Sequence, residues 1–118
     1  KHIADFLKER RWDDRANPAN YVKSIAIEAA ELLEIFQWKN PSADELIADT
    51  KKLTAVKEEL ADVLIYCLDL ASILDLDAKA IIEEKMAYNA KKYPVNLVKG
   101  NSSNYYKLKE AARRKRKK

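Results

Sequence analysis

Apolar residues recur along the chain at steps of three and four, the period of an amphipathic α-helix. Ile3, Phe6 and Leu7 share one side of a first helix predicted over residues 2 to 14, with Trp12 near its end. The pattern breaks at "ANPAN", where Asn17 can cap the next helix and Pro18 suits its first position. That second helix is predicted from about Pro18 to Lys39. A second break follows at "NPSADE", where Ser42 with Glu45 fits a capping box that opens a short helical turn over residues 43–48. The third long helix runs from about Lys51 to Leu74 and is the most apolar. Asp77 can cap a fourth, which ends before Pro94. Residues 95–106, "VNLVKGNSSNYY", read as irregular, and the last dozen as a basic helix or a disordered tail. With one glycine and three prolines there is little punctuation for hairpins. Four helices on short links predict an all-α fold of the four-helix-bundle type.

Length and charge refine this picture. A chain of 118 residues suits one domain with a modest core. Residues 1–95 are expected to form it, with 96–118 as an irregular segment and basic tail. The formal net charge of +4 hides an asymmetry. Residues 107–118 hold eight Lys/Arg and one acid, Glu110, so the folded part is mildly acidic and the appendage basic. No run approaches the roughly 18 apolar residues of a membrane span. No basic start, apolar run and small-residue cleavage site is visible. The chain opens at Lys1 rather than a methionine, and its natural start is expected upstream. Cys67 is the single cysteine and has no partner for an internal disulfide, which fits a cytoplasmic location.

Candidate chemistry lies on the second and third long helices. "IEAAELLEIFQW" places Glu28 and Glu31 three residues apart, on one helix face. "KEELADVLIYCL" does the same for Glu59 and Asp62, with Asp62 set among Leu60, Val63, Leu64 and Ile65. Either pair alone reads most simply as exposed surface. Both together, on the two most apolar helices, suggest four carboxylates around one cavity once the helices run antiparallel. Crowded carboxylates repel and raise one another's pKa. Hard divalent cations such as Mg²⁺ or Mn²⁺ resolve the conflict, because they prefer oxygen ligands. Glu34, Glu58 and Asp69 read as supporting or surface groups.

Other site chemistries lack their parts. A di-iron bundle needs Glu-x-x-His motifs, and the only histidine is His2, outside any such motif. One cysteine excludes thiolate zinc chemistry. No glycine-rich phosphate loop is present.

The segments "EAAELLEIFQW", "EELADVLIY" and "KMAYNAKKYP" together resemble the MazG-like all-α nucleoside triphosphate pyrophosphohydrolases. The signature of that family is a Glu-x-x-Glu pair and a Glu-x-x-Asp pair, here with 27 residues between Glu31 and Glu59. "FLKERRW", "NPAN" and the "FQW" ending are similar to the dCTP pyrophosphatase branch, and the likeness spans about residues 3 to 95. The resemblance implies a Mg²⁺-dependent enzyme, with Mn²⁺ as an alternative ion. Such an enzyme cleaves a nucleoside triphosphate, dCTP or a related deoxynucleotide, to monophosphate and pyrophosphate. It implies that Glu28, Glu31, Glu59 and Asp62 hold metal and carry catalysis, with Glu31 orienting or deprotonating the water. It implies that Trp12 and Trp38 line the base pocket, that Tyr66 sits near the sugar and that Asn89 bonds the nucleotide. Lys85 and Lys92 would lie near the phosphates. Two departures stand out. Ile27 occupies a position where many members of the wider family carry another glutamate. Ile3, beside His2, stands where the dCTP branch can carry a pocket histidine.

The family completes its site at a subunit contact, which implies a homo-oligomer, dimer or tetramer. The apolar third helix supports association, since one small bundle cannot bury all of it. The competing reading is a helical nucleic-acid-binding or interaction module that grips phosphates through "KLKEAARRKRKK".

Overall fold

The structure is a computed structural model and describes residues 2–98 and 102–117. The described residues form helices and no strand: α1 (His2–Glu9), α2 (Pro18–Ile35), α3 (Ala43–Ala48), α4 (Thr50–Ile73), α5 (Ala78–Lys92), α6 (Val95–Val98) and α7 (Ser102–Lys117). The all-α expectation holds. Two compact units divide the chain between Asp77 and Ala78.

In the first unit α2 and α4 pack side by side, and α1 and α3 lean on α4. α2 starts at Pro18 as its residue types require, but Asn17 makes no side-chain cap. Its amide instead donates to Asp14 Oδ2 at 3.3 Å, and Asp14 Oδ1 accepts from the Ala16 N–H at 3.1 Å. These bonds hold the turn that joins α1 to α2. Ser42 caps α3 as expected, its Oγ accepting from the Glu45 N–H at 3.2 Å. Asp49 then caps α4, with Oδ1 accepting from the Lys52 N–H at 3.1 Å.

α1 is shorter than the apolar pattern suggests, ending at Glu9 rather than residue 14. Arg11 adopts a left-handed φ of 57°. The Arg11 and Trp12 N–H groups donate back to Lys8 O at 3.1 Å and Leu7 O at 2.8 Å. α4 ends in the same way. Asp75 has φ 57°, and the Asp75 and Leu76 N–H groups donate to Ser72 O at 3.1 Å and Ala71 O at 2.9 Å. Helices commonly close through a glycine at this position. Here Arg11 and Asp75 take it; no glycine marks the stop of α1, whereas α4 ends within one residue of the expected Leu74. α2 also ends early, at Ile35 rather than Lys39, where the Phe36 N–H closes onto Leu33 O.

The buried apolar core is small. Leu7, Tyr21, Ala71 and Ile73 are its buried members among the described residues. Full burial of a Leu or Ile side chain stabilises by about 1.5–3 kcal/mol. Tyr21 ties α2 to the chain leaving α1. Its hydroxyl accepts from the Asp14 N–H at 2.8 Å and donates to the Trp12 carbonyl. Arg15 grips Asp75 with both terminal guanidinium nitrogens, at 3.2 and 2.5 Å, on the surface. Leu33, Leu60, Leu64 and Ile65 remain exposed.

The second unit corrects one expectation. Residues 95–98 and 102–106, read as irregular, are helical. Residues 99–101 lie outside the described residues. The reason is packing that the polar sequence concealed: Tyr105 on α7 stacks on Tyr93 beside the end of α5, ring centres 4.9 Å apart. The basic end is helical as far as Lys117.

Candidate active site

Helical geometry builds the site from α2 and α4. Steps of three and four place Asn20, Ser24, Glu28 and Glu31 along one stripe of α2. Glu59, Asp62, Tyr66 and Asp69 form the matching stripe of α4. The two stripes run in opposite directions. Glu31 and Glu59 border one concavity, while Ser24 and Tyr21 share another with Tyr66 and Asp69.

At one level of this groove Glu28, Glu59 and Asp62 each offer a carboxylate oxygen, all within 4.8 Å of one another. Glu28 Oε2 and Glu59 Oε2 are buried and face no donor. Among the described residues no Lys or Arg forms an ion pair with any of the four acids. The electrostatics follow. Glu28 is pushed up to about 7, first by a hydrogen bond that Glu31 can make only when a proton is shared, then by desolvation and the charges of Glu31, Asp62 and Glu59. Glu59 is raised chiefly by desolvation, then by Glu31 and Asp62. Glu31 is itself exposed and borders an open concavity of about 540 Å³ with Glu34 and Glu59. An all-oxygen donor set with two orphaned buried oxygens fits a hard divalent cation.

One helical turn further along both helices lies a cavity of about 450 Å³. Trp12, Asn20, Tyr21, Ser24, Tyr66 and Asp69 line it. Trp12 is held at its rim by an edge-on contact with Phe6, ring centres 5.9 Å apart, and by the bond from Tyr21 to its carbonyl. The structure therefore brings Trp12 and Tyr66 to one cavity beside the acidic cluster. It does not bring Trp38 there. Trp38 lies beyond the end of α2 and is 85% exposed. Lys85, Asn89 and Lys92 all lie on α5, in the second unit. The ammonium groups of Lys85 and Lys92 lie over the Tyr88 ring, at 4.5 and 5.7 Å.

Residue patterns alone did not single out Asn20, Tyr21 or Ser24, and they left Asp69 as a supporting or surface group. The available signal was register: Asp69 sits seven residues after Asp62, two turns along the same face, inside the apolar run "YCLDLASIL".

Comparison with known proteins adds an independent line. The MazG-like family model matches residues 23–108. The dCTP pyrophosphatase 1 of Rattus norvegicus is 37% identical over 106 residues, which cover 89% of this chain and 62% of that protein. The Homo sapiens dCTP pyrophosphatase 1 is 34% identical over 110 residues, 92% of this chain and 65% of that protein. The chain thus spans less than two thirds of the length of these curated relatives. A solved pyrophosphatase from Archaeoglobus fulgidus superposes with a TM-score of 0.67 at 40% identity, covering 78% of this chain and 85% of that one. The family match spans both acidic pairs, and the chain belongs to the MazG-like family.

Proposed function

We propose that the chain is a Mg²⁺-dependent nucleoside triphosphate pyrophosphohydrolase acting on a deoxynucleoside triphosphate, dCTP or a close relative. The observation that carries this reading is the convergence of Glu28, Glu59 and Asp62, with two buried oxygens lacking donors, beside a cavity lined by Trp12 and Tyr66. The relatives named for dCTP pyrophosphatase activity support the choice of substrate.

In this reading Glu28, Glu31, Glu59 and Asp62 hold the divalent cation, with Mn²⁺ an alternative ion. When bound, it supplies neutralisation of the charge that develops on the phosphates. Glu31, exposed at the mouth of the cluster, accepts the proton of the water that attacks the α-phosphorus. Pyrophosphate leaves and the monophosphate remains. Trp12 offers a face for the base, Tyr66 lies toward the sugar, and the open cavity between them fixes the direction of the nucleotide. The family resemblance also assigns nucleotide and phosphate contacts to Lys85, Asn89 and Lys92 of α5. Trp38 adds an exposed aromatic surface for the base pocket of the assembled enzyme.

The exposed apolar residues of α2 and α4 support a homo-oligomer, dimer or tetramer. No described helix is long and apolar enough to cross a membrane. The free Cys67 suits the reducing cytoplasm in which nucleotide pools are held. The test is pyrophosphate release from the eight common ribo- and deoxyribonucleoside triphosphates with Mg²⁺. Release from deoxynucleotides, dCTP foremost, is expected. No release from any of the eight would overturn the reading.

A further inference from the structure

Asp69 is 4% exposed, the single buried charged residue among those described. Its Oδ1 is buried without a hydrogen-bond partner. Burial raises its pKa above the ordinary aspartate value, and no other cause contributes. Packing does not call for a carboxyl here. The adjacent turns of α4 carry Leu68, Leu70, Ala71 and Ile73, and a leucine would serve the core better. Asp69 instead lines the cavity shared with Trp12 and Tyr66.

Register gives that position a meaning. Asp62, Tyr66 and Asp69 follow one another on one face of α4, and Asp69 stands about 10 Å along the helix from Asp62 at 1.5 Å per residue. A nucleotide whose phosphates lie at the Asp62 end places its base at the Asp69 end. We propose that Asp69 is a specificity-determining residue that accepts a hydrogen from the exocyclic C4 amino group of a cytosine base in this cavity. The inference rests on the nucleotide-cleaving reading for the direction of the ligand. It goes beyond that reading in naming the residue that selects the base.

The chemistry is asymmetric between pyrimidines. An ionised carboxylate carries only acceptors. The C4 amino group of cytosine is a donor and satisfies Oδ1. The O4 of thymine or uracil is an acceptor, and would leave both oxygens buried without a proton between them. Aspartate pairs with the cytosine amino group by the same logic in nucleic-acid recognition. A site built around a buried polar group rejects the ligand that leaves the group unpaired.

The test measures kcat/KM for dCTP against dTTP, together with the binding of dCMP and dTMP, which requires no turnover. The wild type, Asp69→Leu and Asp69→Asn are compared. The wild type is expected to prefer the cytosine nucleotide in both assays. Asp69→Leu is expected to reduce that preference roughly tenfold to a hundredfold, the effect of losing a hydrogen bond to a charged group. Asp69→Asn, which can turn an N–H₂ toward O4, is expected to restore binding of the thymine nucleotide. Both variants should fold, as checked by helical circular dichroism, because neither leaves a buried charge. Hydrolysis with a preference unchanged in both variants would overturn the assignment of Asp69 while leaving the pyrophosphohydrolase reading intact. Binding selectivity that depends on Asp69 without any triphosphate cleavage would do the reverse. Absence of both cleavage and binding in the wild type would overturn both.

Discussion

Glu28 on α2 and Glu59 on α4 each bury one carboxylate oxygen, Oε2, with no donor against it. Asp62 brings a third oxygen within 4.8 Å of theirs. A protein gains nothing in stability from such crowding, and the arrangement makes sense as a holder for a cation.

That crowding sets a pH dependence. Glu28 stands at about 7 in the folded chain, against 4.5 as its ordinary value. Glu59 moves in the same direction. An acid whose folded pKa is raised binds more protons when folded than when unfolded, so stability falls as pH rises through that interval. The melting temperature in chelator is expected to drop between about pH 4.5 and 7 and then level off. Added Mg²⁺ should raise it, and by more at pH 8 than at pH 5. Thermal melts across pH, with and without Mg²⁺, check both effects. A Mg²⁺ increment that does not grow with pH would speak against the cluster as the binding site.

Asp62→Asn removes a charge from the cluster while keeping its shape. Turnover should fall by at least about a hundredfold, as expected when a metal centre loses a ligand. The apo fold should be unchanged or more stable, because repulsion is relieved. Pyrophosphate release and an apo melting curve, measured side by side, separate a lost function from a lost fold. Near-normal turnover would contradict the site.

Tyr21→Phe tests the support of Trp12. The Tyr21 hydroxyl accepts from the Asp14 N–H and donates to the Trp12 carbonyl from a buried position. Its loss leaves backbone groups unpaired and should destabilise by about 1–3 kcal/mol. If Trp12 carries the base, KM should rise more than kcat falls, because binding is loosened and the acidic cluster is untouched. Denaturant melts and steady-state kinetics give the two numbers.

Arg11→Gly should raise stability slightly. A left-handed non-glycine residue costs about 1–2 kcal/mol. Glycine returns about 0.5–1 kcal/mol of that as extra unfolded-state entropy. A net gain of up to about 1.5 kcal/mol is expected, read from denaturant midpoints at unchanged slope.

These cases show what the sequence made legible. α3 and the start of α2 were readable because Ser42, Glu45 and Pro18 each satisfy a specific backbone need at a helix start. The end of α1 was not, because Arg11 does there what glycine usually does and leaves no compositional trace. The first turn of α7 escaped notice because the contact that marks it, Tyr105 stacked on Tyr93, lies within an otherwise polar stretch. The acidic pairs were visible from spacing alone, since three-residue steps on two apolar helices are a short-range signal. Asp69 was not, since one carboxylate in an apolar run looks like surface until the opposite helix is in place. The exposure of Trp38 depends on where α2 stops, and that stop was misplaced by four residues, at Lys39 instead of Ile35.

The most direct test of the central claim is the identity of the products formed from dCTP in Mg²⁺ and in chelator. The expected result is dCMP with pyrophosphate in equal amounts, formed only when the cation is present. Formation of dCDP with inorganic phosphate, or equal turnover in chelator, would contradict it.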